Sequence, residues 1–233
     1  MGTRLGAGVP KAIVNVGDKP IIIRQLELLD DFDDVRVVVG FQADKVIEIV
    51  QKYRRDVMFC FNNDFRTTGT AASFSKGVVN AKEYAVALDG DLLVHPDDLL
   101  SFLSRDEELI GGCVPGTDNP VLMTLDDKEQ VIEFSRERGS LEWTGLAQIK
   151  TERLVPGTKH VYQMLEPLMP IKVMKIRTKE IDTMNDYDNA VRPVLAPGPL
   201  AEACGFTYQE YSSINKLPLK PNGIGAADNT ANT

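Results

Sequence analysis

Residues 84–91 read Tyr84-Ala85-Val86-Ala87-Leu88-Asp89-Gly90-Asp91, an apolar run that ends in a pair of carboxylates. A short, unbroken apolar run of this kind predicts a buried strand. In open α/β sheets, ligands collect beyond the carboxyl ends of the strands, which is where Asp89 and Asp91 would lie. The Asp-Gly-Asp sequence is also typical of a β-turn, so the motif alone leaves a metal site and a simple turn as alternatives.

The segments around this run alternate between strand-like and helix-like patterns. Strands are predicted at residues 12–16, 35–40 and 57–61, and helices at residues 21–29, 43–53 and 70–80, the last with Thr70 as its cap. Farther along, His95-Pro96 opens a helix to residue 103, strands are predicted at residues 110–114, 121–125, 131–134 and 172–177, and helices at residues 158–168 and from 185 onward. This order predicts a single α/β, Rossmann-like domain of three layers, with a mixed, mainly parallel sheet and helices on both faces.

The two ends of the chain differ from this pattern. The domain is expected to span residues 1–194, and residues 195–233, rich in Pro, Gly, Asn and Ala, are expected to form a tail, a linker, or an arm onto a partner subunit, as in a homodimer. No strand precedes the opening loop, so we expect either a truncated start or an upstream segment outside this numbering.

Composition and charge exclude several classes of function. The chain has 233 residues, 43% of them hydrophobic, and a net charge of −8, which argues against a nucleic-acid-binding protein. No stretch has the apolar length of a membrane span. Three unevenly spaced cysteines indicate reduced thiols and a cytoplasmic location. The two histidines, His95 and His160, are too few for a multi-histidine zinc site, and we expect both to be structural.

The opening residues 1–11, MGTRLGAGVPK, combine glycines with two cations. Small residues let backbone N–H groups approach phosphate oxygens, and Arg4 and Lys11 offer charge to the same anion. The pattern therefore predicts a loop that binds a polyphosphate, with a frayed terminus as the alternative.

Three further segments carry candidate site residues. Asp182 follows a predicted strand and could hold Mg²⁺ together with Asp91, although it could instead cap the last helix. The small residues Gly69, Thr70 and Ala71 at a helix start would admit a flat base, or they form an ordinary helix entry. Trp143, the only tryptophan, could line a pocket or belong to the core.

With these segments in hand, the chain resembles the nucleotidyltransferases of sugar phosphates and phosphocholine. The matching segments, in family order over residues 1–192, are Gly2-Thr3-Arg4-Leu5, Pro10-Lys11, Gly69-Thr70-Ala71, Leu88-Asp89-Gly90-Asp91 and Glu180-Ile181-Asp182. The resemblance is closest to the small cytidylyltransferases that act on phosphocholine, phosphonates or inositol phosphate. It implies the nucleotide-diphospho-sugar transferase fold.

The resemblance also implies a role for individual residues. Phosphate binding falls to Gly2 and Thr3, with Arg4 and Lys11 as the catalytic cations. Binding of Mg²⁺ falls to Asp91 and Asp182, and the base pocket to Gly69, Thr70 and Ala71. The chain departs from the family in two respects, because the first strand and an evident aromatic cage for choline are missing from the sequence.

The implied reaction is the Mg²⁺-dependent transfer of a nucleotidyl group, with CTP favoured, to a small phosphorylated acceptor with release of pyrophosphate. One alternative is a hexose-1-phosphate nucleotidyltransferase that uses UTP, dTTP or GTP. Another is a metal-dependent glycosyltransferase in which Asp89 and Asp91 hold the metal. A third is a nucleotide-binding module without catalytic activity.

Overall fold

A computed structural model describes residues 8–180 of the chain, and this part is built from alternating helices and strands. The α-helices are α1 (Ile21–Leu28), α2 (Ala43–Tyr53), α3 (Thr70–Gly77), α4 (Pro96–Leu103) and α5 (Val161–Leu165). The strands are β1 (Asn15–Val16), β2 (Lys19–Pro20), β3 (Arg36–Val39), β4 (Met58–Phe61), β5 (Tyr84–Ala87), β6 (Leu92–Val94), β7 (Leu109–Cys113), β8 (Leu122–Leu125), β9 (Gln130–Ser135), β10 (Leu141–Lys150), β11 (Ile171–Lys175) and β12 (Thr178–Glu180). Short 3-10 helices occur at Lys11–Ile13, Thr151–Arg153 and Glu166–Leu168. The predicted α/β class is therefore confirmed.

The strands form one large sheet and several two-stranded pairs. The large sheet has the order β5-β10-β7-β11-β9-β8, and β10 also pairs with β8, so that β10, β7, β11, β9 and β8 close into a ring. The remaining pairs are β1 with β2, β3 with β4, and β6 with β12. No helix in residues 8–180 combines the length and the apolar character that crossing a bilayer would require.

The mixed character of the sheet is confirmed, but the prediction that it is mainly parallel is wrong for the part of the chain that is described. Within residues 8–180, only the β3–β4 and β7–β11 pairs are parallel, and the others are antiparallel. The reason is that β8, β9 and β10 are joined by turns too short for a crossover helix, which forces antiparallel pairing. The three-layer arrangement stays a prediction.

Helix α1 lies between two apolar clusters and is buried on both sides. Its Ile22, Ile23 and Leu26 pack with residues of α2, β3 and the segment around them, such as Val46. On the other side, Ile21 and Leu28 belong to a cluster that includes all of β6 and Phe102 of α4. Because α1 is packed on both sides, a polar side chain on this helix that faces β6 has a fixed position.

Several predicted helices have the expected bounds. Helix α2 spans the predicted residues, and α4 begins at Pro96 with His95 as its cap, where the imidazole Nδ1 accepts a hydrogen bond from the backbone N–H of Asp97 at 3.3 Å. The structural role predicted for His95 is thus confirmed. Helix α3 ends earlier than predicted, at Gly77, and α5 covers only the middle of the predicted helix.

Strand β10 was not anticipated by the sequence pattern, although it is the longest strand of the described part. All of its residues except Trp143 and Lys150 are buried, including three polar ones. A strand buried on both faces shows no alternation of apolar and polar residues, so it gives no signal of period two. The helix predicted from residue 185 and the predicted tail at 195–233 lie outside the described residues.

Helix α4 and the β6–β12 pair are held together by an ion pair. Both carboxylate oxygens of Asp98 accept hydrogen bonds from the Arg177 guanidinium, at 2.9 and 2.8 Å. Burial raises the pKa of Asp98, but the hydrogen bonds and charge of Arg177 outweigh this, so that the pKa lies below its usual value. This clamp fixes the segment that leads into β12, whose last residue, Glu180, pairs with Leu92.

We expect Arg24→Met to destabilise the fold. Arg24 is 2% exposed, and its guanidinium donates two hydrogen bonds to the backbone oxygen of Val16, at 3.0 and 2.7 Å, and one to Asp18. Methionine keeps the apolar stem but removes these donors, so the free energy of unfolding in urea should fall by about 1–3 kcal/mol. Arg55→Met, at an exposed position, is the control and should change it by less than about 0.5 kcal/mol. Equal free energies of unfolding for Arg24→Met and Arg55→Met would contradict the stabilising role of these hydrogen bonds.

Candidate active site

An ion pair joins the two ends of the predicted phosphate and metal site. The Lys11 Nζ lies 2.8 Å from Asp91 Oδ2, although the two residues are 80 positions apart in the sequence. The side chains are 20% and 21% exposed, so the pair is partly buried and remains accessible to solvent. The structure therefore brings Lys11 and Asp91 together, as the sequence predicted.

Local structure explains why Lys11 reaches this position. Pro10 precedes the 3-10 helix Lys11–Ile13, and its extended backbone directs the chain into that turn. The turn lies close to the loop between β5 and β6, since a Cβ added to Gly90 of this loop would lie 3.4 Å from the Cβ of Ala12. The loop that carries Asp91 and the turn that carries Lys11 are thus neighbours, which places Lys11 within reach of Asp91.

The loop between β5 and β6 carries Asp89 and Asp91, and we call it the acidic loop. Hydrogen bonds from Gln25 of α1 hold it in place. The Gln25 Nε2 donates hydrogen bonds to the backbone oxygens of Asp89 and Leu92, at 2.7 and 2.8 Å. Gln25 is 8% exposed, and a buried amide of this kind holds its partners at a fixed geometry. Gln25 therefore fixes both sides of Asp91.

Asp89 is positioned by a glycine in the middle of β10. Gly145 has a φ of +83°, and the pairing register of β10 with β7 shifts between Trp143 and Ala147. A Cβ added to Gly145 would lie 2.5 Å from Asp89 Oδ2, so the absence of a side chain makes room for this carboxylate. A bulge with a glycine at positive φ is a common device for bringing a backbone close to a functional group.

The predicted base-binding segment is tied to the loop before α5. The backbone N–H of Gly69 donates to Thr158 O at 2.7 Å, and that of Ala71 donates to Lys159 O at 3.0 Å. A Cβ on Gly69 would lie 2.0 Å from the Lys159 oxygen, so the two segments touch through their backbones. These two N–H groups are thus engaged inside the protein, and a role of Gly69, Thr70 and Ala71 in base binding stays a prediction.

Thr70 was expected to cap α3, and this prediction is wrong. The cap position is occupied by Gly69, without a side-chain hydrogen bond. The Thr70 hydroxyl oxygen instead accepts a hydrogen bond from the backbone N–H of Val161, at 3.1 Å. The partner is 91 positions away, so the local helix pattern could not reveal it.

A cavity of about 210 Å³ opens beside these groups, and one end of it is acidic. Asp89, Asp91, Thr70 and Gly145 all line this cavity. We call this part, defined by Asp89 and Asp91, the acidic end. It has carboxylate oxygens on one wall and the Lys11 ammonium in contact with one of them.

Another part of the cavity wall is formed by β10 and the turn that follows β7. The Glu142 carboxylate accepts hydrogen bonds from the backbone N–H groups of Gly116 and Thr117, at 2.8 and 3.2 Å, and from the Thr117 hydroxyl. Glu142 is 5% exposed, so these donors compensate for its burial. Through them, Glu142 fixes the turn that carries Thr117 and Asn119, which line the cavity.

Aromatic rings and one arginine complete the lining. Trp143 lines the cavity and also packs edge-on against Phe134, at 5.8 Å between centroids, so it fulfils both of the alternatives considered for it. His160 stacks on Tyr162 with the rings 5.8 Å apart and nearly parallel. The Arg136 guanidinium lies over the same Tyr162 ring, 5.7 Å from its centroid. His160 also lines the cavity, and its backbone N–H donates a hydrogen bond to Gln163 Oε1 at the start of α5, at 3.3 Å, in keeping with the structural role predicted for it.

Four of the predicted site residues, Gly2, Thr3, Arg4 and Asp182, lie outside the described residues. Within residues 8–180, no group of three or more His, Cys, Asp or Glu side chains forms a ready metal site. No local sequence pattern pointed to Gln25, Glu142 or Arg136, because each binds groups that are distant in the chain.

Comparison with known proteins relates this chain to nucleotidyltransferases. The family model for the MobA-like NTP transferase domain matches residues 1–151. The bifunctional protein GlmU of Aliarcobacter butzleri is 28% identical over 103 residues, which are 43% of this chain and 24% of that protein. The match thus spans only about a quarter of the length of this curated relative.

Solved structures share the fold. The inositol-1-phosphate CTP transferase of T. maritima superposes with a TM-score of 0.68 and 18% identity, covering 92% of both chains. HddC of Yersinia pseudotuberculosis has a TM-score of 0.63 and 17% identity, and the CTP:phosphocholine cytidylyltransferase LicC of Streptococcus pneumoniae 0.62 and 19%; each comparison covers 80% of this chain and 91% of the other. At these identities the likeness shows a common α/β fold, the one expected for nucleotide-diphospho-sugar transferases.

We expect Gly145→Ala to lower stability because it forces a side chain into the space of Asp89 at an unfavourable φ. The free energy of unfolding in urea should fall by about 1–3 kcal/mol. Gly90→Ala is the matched control in the acidic loop, since its added Cβ meets only Ala12 at an ordinary contact distance and its φ is not positive. A Gly145→Ala variant as stable as Gly90→Ala would contradict the proposed close approach.

Proposed function

The chain belongs to the family of MobA-like NTP transferase domains, and from this premise we propose that it transfers a nucleotidyl group from a nucleoside triphosphate to a small phosphorylated acceptor. Pyrophosphate is the second product, and CTP is the favoured donor. The observation that carries this proposal is the 2.8 Å contact between Lys11 and Asp91, which unites a cation of the glycine-rich segment with a carboxylate beyond a strand end.

Lys11 is the group that neutralises the phosphates of the nucleotide. Its ammonium contacts Asp91, which lines the cavity, and a polyphosphate bound beside Asp91 would accept hydrogen bonds from it. Negative charge moves onto the departing pyrophosphate during the reaction, so a cation fixed at this point stabilises the transition state more than the ground state. Arg4 and the backbone of Gly2 and Thr3 are proposed to hold the same phosphates.

Asp91 and Asp182 are proposed to hold Mg²⁺. The donor set fits, since Asp91 offers carboxylate oxygen, the donor that Mg²⁺ prefers, and few protein ligands are needed when phosphates and water supply the rest. Glu180 pairs with Leu92, the residue after Asp91, and two residues span at most about 7 Å, which supports a shared site for Asp182. Bound Mg²⁺ would supply positive charge to the phosphates.

The reaction is an in-line displacement at the α-phosphorus. An oxygen of the acceptor's phosphate forms the new P–O bond as the bond from the α-phosphorus to the bridging oxygen of the β-phosphate breaks, and pyrophosphate departs with that oxygen. No general base is required, because a phosphate monoester is already largely ionised at neutral pH. The protein's contribution is to position the two substrates and to stabilise charge.

Pairing triphosphates with acceptors tests this function. CTP, UTP, dTTP and GTP are each mixed with phosphocholine, aminoethylphosphonate, inositol phosphate and hexose-1-phosphates, and pyrophosphate is measured. We expect Mg²⁺-dependent release that is fastest with CTP. Nucleotide binding without release from any pair would indicate a non-catalytic module, and sugar transfer from a nucleotide sugar would indicate a glycosyltransferase.

Replacing Lys11 by alanine should slow turnover without unfolding the protein. Loss of one transition-state donor lowers kcat by about 10²–10³. The control is Lys45→Ala, at an exposed position on α2, which should keep the wild-type rate. Near-normal turnover of Lys11→Ala would remove Lys11 from the mechanism.

Replacing Asp91 by asparagine should abolish Mg²⁺-dependent activity, because the amide is isosteric but carries no charge for the cation. Circular dichroism and the melting temperature should remain those of a folded protein. Asp106→Asn, in an exposed loop, is the matched control. Full activity of Asp91→Asn would refute the metal assignment.

A further inference from the structure

We propose that Arg136 binds an anionic group at the far end of the acceptor, and that the acceptor therefore carries a second anion, such as a carboxylate, besides its reacting phosphate. This inference rests on the proposed function, because it concerns the acceptor of the same site. It deepens that function by assigning a chemical class to the substrate and a residue that selects it.

A small acceptor is long enough to reach from one end of the cavity to the other. Gly145 of β10 contacts Asp89 at the acidic end, and Glu142, three residues earlier, holds the Thr117 turn. Three residues of a regular strand advance at most roughly 10 Å, and the bulge at Gly145 shortens this distance, so the two points are separated by no more than the length of a phosphorylated three-carbon compound with its substituents. The reacting phosphate belongs beside Asp91 and Lys11, so the other end of the acceptor faces the turn.

Arg136 lies at this far end, and its guanidinium has N–H donors beyond the one that it uses within the protein. Its Nη1 donates a hydrogen bond to the backbone oxygen of Asn119 at 2.6 Å, which ties it to the turn that Glu142 fixes. Among the described residues, no carboxylate forms an ion pair with it, in contrast to the nearby Arg138, which pairs with Glu133 at 2.8 Å. A guanidinium has five N–H donors in a planar fork that matches a carboxylate or phosphate.

The alternative is an acceptor with a cationic end. Such an acceptor has fewer groups to bind at this end of the cavity. The Glu142 carboxylate is buried and already accepts three hydrogen bonds from the turn, so its oxygens are used inside the protein. The ring of Tyr162, a candidate surface for an ammonium group, is contacted by both the Arg136 guanidinium and the stacked His160. An ammonium placed there would be repelled by Arg136 at short range.

Matched pairs of acceptors test this inference through binding. The pairs are 3-phosphoglycerate with glycerol 3-phosphate, and O-phosphoserine with phosphoethanolamine, and in each pair the first member carries the extra carboxylate. Isothermal titration calorimetry on the full chain should give a Kd about tenfold or more lower for the carboxylate member of each pair.

Variants of Arg136 locate the source of this preference. In Arg136→Gln the two members of each pair should bind within about threefold of each other, and Arg136→Lys should restore part of the difference because the charge is kept. Arg138→Gln is the matched control and should keep the wild-type ratio. Arg136 is exposed, so unchanged circular dichroism and melting temperature should accompany the loss.

The outcomes separate this inference from the proposed function. Absence of a carboxylate preference in the wild type, failure of the carboxylate members to bind, or an equal preference in Arg136→Gln would overturn the role of Arg136. Those results would leave pyrophosphate release with other acceptors untouched. Conversely, a carboxylate preference that depends on Arg136, without pyrophosphate release from any pair, would support the binding site and contradict nucleotidyl transfer.

Discussion

The contact between the Lys11 ammonium and the Asp91 carboxylate is the interaction on which the account of this protein depends. It joins the glycine-rich opening of the chain to the acidic loop after β5, at 2.8 Å and with both side chains about one-fifth exposed. An ion pair in such a place adds little to stability, because desolvation offsets much of the attraction. The pair lies beside the cavity that Asp91 lines, which is where the proposed phosphate and metal chemistry requires it.

The rest of the fold arranges the surroundings of this pair. Helix α1 is buried on two sides and presents Gln25, which holds the backbone before and after Asp91. The bulge at Gly145 leaves room for the Asp89 carboxylate, and β12 ends opposite Leu92. Rigid elements thus support each side of the acidic loop, which is the preorganisation that charge stabilisation requires.

The sequence predicted those features that depend on local pattern. Helix α2 was predicted to its observed ends, because Val46 and Val50 mark a clear apolar face, and Asp91 was placed correctly beyond a strand. Features that depend on distant partners were missed. Strand β10 is buried on both faces and shows no alternation, and the roles of Gln25 and Arg136 arise only when the fold brings backbone oxygens from other segments to them.

A crystal structure of the full chain with a non-hydrolysable CTP analogue and Mn²⁺ would show whether Lys11 and Asp91 act on one metal-bound triphosphate. We expect an anomalous peak for manganese at the Asp91 carboxylate, and the Lys11 Nζ within hydrogen-bond distance of a phosphate oxygen of the same nucleotide. A nucleotide whose phosphates lie away from both residues, or a manganese ion bound elsewhere, would contradict this shared role.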